Sequence, residues 1–362
     1  MNIKINFLLP GCILAQDVFK LSNSPLIKKK TVITPHHIEI LKLFLVKDVH
    51  VEPKLVNGKT FMPKDIINEK NNVQKPLVKK RENKTFIDLY LKAVQQYKKL
   101  FTNWQGGTKV EAFSVRKIFL PLFETEPSKE ELMQLHHYST KNDYIYYHSV
   151  AVSILSYMIG KRTGLENAEV IQLGLAGLLS DAGMSKLSFN VFDQQSQLTS
   201  TQYEEVKKHP IFGYRMLEDV PGFRKEALLG ILQHHEREDG TGYPIQVNSK
   251  KLHLYAKIIA IADVYHAMTS ERYYRKKQSP YKVIASLKID QFGRLDHNLI
   301  ETFTHMMIDL SIGSKVRLNN NQIGEVIFQQ VKYPTRPIIK LDDDSHIDLT
   351  KHVDIVIEEE LI

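Results

Sequence analysis

Apolar positions recur at helical spacing through the middle of the chain and in short extended runs at both ends. From Thr85 to Trp104, the residues Phe86, Leu89, Tyr90, Ala93, Val94, Tyr97 and Phe101 mark one face of a helix. Further helices are predicted at Val150–Gly160, Ala168–Leu179, Ser200–Leu217, Arg224–His235, Leu254–Thr269 and Pro280–Ile289. Near the N-terminus, Ile3–Leu9, Cys12–Val18 and Lys30–Ile33 read as strands. Thr34 then caps a short helix with Pro35 at its first position, running to about Leu45, and Val49–Val51 closes as a strand. Past residue 311, strands are expected at Lys315–Leu318, Gly324–Phe328, Arg336–Leu341 and Val353–Ile357, with turns at Asn319–Asn321 and Asp342–Ser345.

These patterns divide the 362 residues into a small α+β module (1–57), a basic linker (58–84), a connecting helix (85–104), a helical domain (105–310) and a small β-barrel or β-roll (311–362). The chain is therefore mainly α, with no internal repeat. The stretch Lys75–Lys84 carries five basic residues against one acidic and has almost nothing to bury. The helix at 85–104 either packs on its own domain or forms a seam with a second copy, which leaves a homodimer open.

Composition narrows the chemistry. With 43% apolar and 25% charged residues, the chain is not disordered as a whole. No run of about 18 apolar residues suggests membrane insertion. The N-terminal run Phe7–Cys12 is short and broken by Pro10, so it reads as strand and turn, and the protein as cytoplasmic. A single cysteine, Cys12, excludes an internal disulfide and a cysteine-rich zinc site, whereas fifteen histidines supply imidazole. The net charge of +8 reflects lysine-rich linkers more than an arginine stripe, which argues against nucleic acid as the partner.

Within the helical domain, histidines and aspartates sit in apolar surroundings. His148 lies early in an apolar helix, Asp181 ends the run Leu173–Leu179, and His209 precedes Pro210. His234 and His235 end another apolar helix, and Asp263 lies inside Ile258–Val264. Burying so many ionisable groups without partners costs several kcal/mol each. A shared metal centre offsets that cost, and neutral imidazole with carboxylate suits iron, manganese or zinc. Adjacent histidines diverge on a regular helix, but a turn at the helix end lets both reach one centre.

The stretch 234–244, HHEREDGTGYP, resembles the signature of the HD-GYP family, the branch of HD-type metal phosphohydrolases that cleaves cyclic di-GMP. His148–Ser149, LTSTQYEEVKKHPIFG (198–213), AKIIAIADVYHAMTS (256–270), RYYR (272–275) and the stretch Phe292–Phe303 extend the resemblance over about 130–310. It implies an HD-type helical bundle and a divalent transition metal, in one or two ions. His148, Asp181, His209, His234, His235 and Asp263 match ligand positions, with Asp181 bridging. Gly242, Tyr243 and Pro244 match the loop that shapes the substrate groove, and Arg272 and Arg275 match a basic pair facing the dinucleotide.

The match breaks at one motif. Where the family has His-Asp-x-Gly-Lys, this chain has Ser180, Asp181, Ala182, Gly183 and Met184. A serine hydroxyl is a poor ligand for a transition metal, and Met184 cannot steady phosphate charge. Lys186 could stand in for the lysine only if the helix ends by Gly183. Tyr144 replaces the glutamate of trimetal members. His266 replaces an expected aspartate and, one turn from Asp263 on the same face, could lend an imidazole to the centre, face substrate or lie behind the ligands. By the family arrangement, one cation position (Asp181, His209, His234, His235) has all its donors. The other (His148, Asp181, Asp263) lacks a histidine, and two-metal hydrolysis needs both.

The resulting expectation is a cyclic di-GMP signalling protein with impaired or absent phosphodiesterase activity, acting through metal and nucleotide binding and a signalling-protein partner. The alternatives are an active cyclic di-GMP phosphodiesterase giving pGpG or GMP, with Asp181 and Lys186 catalytic, or an interaction module without nucleotide binding.

Overall fold

The computed structural model describes residues 1–18, 27–35, 37–38, 41, 46, 48–61, 85–123, 126–189, 191, 197–272, 277–290 and 293–361. Most of the basic linker, Arg275 and Phe292 therefore lie outside the described residues.

The N-terminal module is a three-stranded antiparallel sheet in the order β1 (Asn2–Lys4), β3 (Asp48–Leu55), β2 (Cys12–Leu14). Its apolar face (Ile3, Cys12, Leu14, Val49 and Val51) is buried with Leu41 and Phe61. Past β3 the chain turns back through Gly58, with Leu55 N–H donating to the Lys59 carbonyl and Phe61 N–H to that of Pro53. Residues 58–61 thus belong to this module rather than to the linker.

Helix α1 (Phe86–Gln105) begins at a reciprocal capping box between Thr85 and Asp88. Its apolar face, including Tyr90, Val94, Tyr97, Phe101 and Trp104, is buried in the core of the helical domain. This face is covered by its own chain. Fully burying each such side chain is worth about 1.5–3 kcal/mol.

The domain continues with α2 (Ala112–Phe119), α3 (Lys129–Gln134), α4 (Tyr144–Arg162) and α5 (Asn167–Leu179). Helix α4 is buried on nearly every side, as expected of a central helix whose sequence is apolar all round. After α5 a 3₁₀ turn spans Ala182–Lys186. The single helix expected over Ser200–Leu217 is two, α6 (Ser200–Val206) and α7 (His209–Leu217). Pro210 lies in the first turn of α7, where a missing N–H costs nothing, and the break places His209 at a helix start. Helices α8 (Lys225–Gln233), α9 (Leu254–Thr269), α10 (Pro280–Asp290) and α11 (His297–Met307) complete the bundle.

The C-terminal module is a five-stranded antiparallel sheet ordered β7–β6–β5–β4–β8: β4 Lys315–Leu318, β5 Ile323–Phe328, β6 Ile338–Leu341, β7 His346–Asp348, β8 Ile357–Leu361. Its end strands β7 and β8 do not pair with each other among the described residues, so the sheet is not a closed barrel. The strand expected at Val353–Ile357 begins only at Ile357. The preceding loop wraps the Arg336 guanidinium, which donates to the carbonyls of Leu349, Val353 and Ile355. Ser279 Oγ donates to the Ile357 carbonyl at 2.9 Å, tying the sheet to the start of α10.

A candidate metal centre and the loop beside it

Five segments converge on one buried point. Asp181 follows the end of α5, His209 opens α7, His234 and His235 follow α8, Asp263 lies midway along α9, and His148 lies one turn into α4. At the close of α8 the helix stops at Gln233 with His234 as its cap, so the two neighbouring imidazoles both turn inward.

Donor atoms of Asp181, His209, His234 and His235 all lie within 4.8 Å of one another. His209 Nδ1 bonds the Val206 carbonyl at 2.7 Å, and His234 Nδ1 bonds that of Ile231 at 2.7 Å. Each of these rings therefore carries its proton on Nδ1 and presents a lone pair at Nε2. The two Nε2 atoms face each other at 3.2 Å, and Asp181 Oδ1 lies 3.2 Å from His209 Nε2. Three acceptors with no hydrogen between them repel in a dry interior, and a cation relieves that. The donor set thus fits a divalent transition metal bound by Asp181, His209, His234 and His235.

The electrostatics agree. Burial pushes the His234 pKa down to about 4 and that of His235 well below its ordinary value, which keeps both neutral. Burial raises the Asp181 pKa, but hydrogen bonding from His209 and the charge of the neighbouring histidines, once acid protonates them, outweigh it and leave the carboxyl below its ordinary range. Asp263 is likewise lowered against burial by His148 and His234.

His148 stands beside this cluster. Its Nε2 is 3.0 Å from Asp263 Oδ1 and 3.4 Å from Asp181 Oδ2, and His235 Nδ1 is 3.7 Å from Asp263 Oδ2. On the other side, His148 Nδ1 meets the Tyr144 hydroxyl at 2.9 Å and His266 Nδ1 at 3.1 Å. All six ligand candidates are brought together. Ser180 is buried but spends its hydroxyl hydrogen on the Gly177 carbonyl at 3.0 Å.

Two expectations change. The Lys186 ammonium donates to the Trp104 carbonyl, which fastens the 3₁₀ turn to α1, so it does not stand in for the lysine absent at Met184. Arg272 turns inward: its guanidinium carbon lies 4.2 Å from the centre of the Tyr144 ring, and Nη2 donates to the Tyr144 hydroxyl. His266 is 1% exposed, with Nε2 buried and unpartnered among the described residues, and its Nδ1 backs His148.

The loop at 240–244 borders the centre. The Tyr243 ring lies 4.7 Å from that of His235, and Tyr243 N–H donates to the His235 carbonyl. Gly242 is required by space: a Cβ there would sit 2.4 Å from Glu236 Cα. Pro244 follows, half-buried. Sequence reasoning gave no role to Glu236, whose buried carboxylate accepts the backbone N–H groups of Ile245 (2.6 Å), Gln246 (2.9 Å) and Val247 (3.2 Å). Its only signal was an acidic residue directly after the histidine pair. Sequence reasoning also missed the partners of Tyr144: His148 lies one turn on along the same helix, a spacing the sequence shows, whereas Arg272 is remote in the chain.

Known proteins are similar to parts of this chain. Residues 130–299 match the family model described as HD domain. A cyclic di-GMP phosphodiesterase of Pseudomonas aeruginosa is 32% identical over 58% of this chain and 50% of its own length. A cyclic di-GMP phosphodiesterase of Borreliella burgdorferi is 27% identical over 53% and 50%, and a 3'3'-cGAMP-specific phosphodiesterase of Vibrio cholerae is 30% identical over 43% and 34%. The chain spans about half the length of the first two relatives. An HDG"Y"P protein from Bdellovibrio bacteriovorus superposes with a TM-score of 0.49 at 15% identity, covering 85% of this chain and 99% of that one. Residues 130–299 are thus an HD domain by that match, and Ser180 stands where the resemblance to the HD-GYP family places a histidine. Among the described residues, no helix is long and apolar enough to cross a membrane.

Proposed function

We propose that this is a cytoplasmic, metal-binding cyclic di-GMP signalling protein whose phosphodiesterase activity is impaired or lost. One observation carries the reading: a complete four-donor cluster stands beside a position where Ser180, Met184 and Lys186 supply neither ligand nor phosphate clamp. Asp181, His209, His234 and His235 would hold the ion, iron, manganese or zinc. When bound, such an ion supplies Lewis acidity toward a phosphodiester oxygen. The protein's own residues contribute the rest. The backbone carbonyls of Val206 and Ile231 fix two imidazoles as Nε2 donors, and Glu236 holds the loop carrying Gly242, Tyr243 and Pro244 beside them. Dinucleotide contact falls to that loop and to Arg275. The output is a change passed to a signalling-protein partner.

The names of the curated relatives support the substrate class, including the one named for 3'3'-cGAMP. They also favour a second reading, a working phosphodiesterase. Calorimetry with cyclic di-GMP and with 3'3'-cGAMP in the presence of Mn²⁺, beside an assay for pGpG and GMP, tests both. Binding with turnover at background is expected. Turnover near one per second would establish the second reading, and no binding of either nucleotide would overturn the first.

A further inference from the structure

The hydrogen bonds around His148 form a directed chain. Arg272 Nη2 donates to the Tyr144 hydroxyl oxygen, which leaves the hydroxyl hydrogen for His148 Nδ1, 2.9 Å away, a nitrogen that also lies 3.1 Å from His266 Nδ1. The proton of His148 is then on Nε2, which points at Asp263 Oδ1 at 3.0 Å and at Asp181 Oδ2 at 3.4 Å. The opposite tautomer would aim an Nε2 lone pair at two carboxylates and take from the Tyr144 hydroxyl the only acceptor it has among the described residues. Tyr144 is 7% exposed and its ring stacks on that of His148 at 5.1 Å, so water does not readily replace that acceptor. Arg272 above the Tyr144 ring holds the phenol in register.

We propose that Tyr144 and Arg272 close the second cation position of this centre by fixing His148 as a proton donor to Asp263, so that the chain takes up a single divalent ion, on Asp181, His209, His234 and His235. An N–H group there satisfies the carboxylates that a second ion would bridge. The proposal rests on the metal-binding reading given above, and two measurements separate the fates of the two.

The first needs no metal. In chelator-treated protein with ¹⁵N-labelled histidine, long-range ¹⁵N–¹H correlation reports the His148 tautomer, its signals assigned by their loss in His148→Gln. A proton on Nε2 is expected, and a proton on Nδ1 overturns the closure whatever metal does. The second is equilibrium dialysis against Mn²⁺. Wild type is expected to bind one equivalent. Tyr144→Phe removes only the hydroxyl, lets His148 move its proton to Nδ1 toward His266, and is expected to bind a second, weaker equivalent. Two equivalents in wild type overturn the proposal. So does one equivalent in a Tyr144→Phe protein that keeps its helical circular dichroism. If wild type binds none, the count of one and the metal-binding reading both fail, while the tautomer still decides the hydrogen-bond arrangement.

Discussion

A Cβ atom on Gly183 would lie 2.0 Å from the carbonyl oxygen of His209. The 3₁₀ turn after Asp181 and the first turn of α7 therefore touch backbone to backbone, and that contact sets His209 beside Asp181. Gly183→Ala should force the two apart. Overpacking of this kind costs about 1–3 kcal/mol, and the displaced imidazole should weaken Mn²⁺ binding at least tenfold. Thermal melting with and without Mn²⁺ reads both. A variant whose Mn²⁺ stabilisation matches wild type would show that the contact does not position the ligand.

Glu236 holds the loop by accepting three backbone N–H groups on a buried carboxylate. Glu236→Ala should strand those donors and cost about 3 kcal/mol or more, since hydrogen bonds to charged groups are worth about 1.5–3 kcal/mol. Amide hydrogen exchange at Ile245, Gln246 and Val247 should accelerate before that of α8. Uniform acceleration across the domain would mean that the carboxylate supports the whole fold and not this loop.

Lys186→Met should cost about 1–2 kcal/mol through the lost bond to the Trp104 carbonyl, with nucleotide and Mn²⁺ binding unchanged. The measurement is calorimetric affinity beside a urea midpoint. A tenfold loss of nucleotide affinity would return this lysine to the ligand site.

The metal-free protein should weaken on mild acidification. His234, held down to about 4 by burial, protonates near 6.5 once unfolded, so the unfolded chain binds more protons between those values. Stability then rises with pH across that window and falls as pH drops through it, by roughly 3 kcal/mol from His234 alone. His235 and His266, also lowered by burial, add in the same direction. Asp181 and Asp263, lowered overall, lose their contribution at still lower pH. Urea midpoints of chelated protein at pH 7.5 and pH 5 give the check, and equal midpoints would contradict it.

The sequence by itself determined the class. Helical periodicity fixed the bundle, and the run from His234 to Pro244 with the scattered His148, Asp181, His209 and Asp263 named the residues that meet. It also exposed the lost donors at Ser180 and Met184, because residue types are chemistry wherever they sit. Only the tertiary structure decided where the remaining groups point. Lys186 reaches Trp104, Arg272 lies over Tyr144, and Glu236 gathers a loop eleven residues away at its far end. A hydrogen bond is made between atoms about 3 Å apart, and chain order does not say which segments come that close.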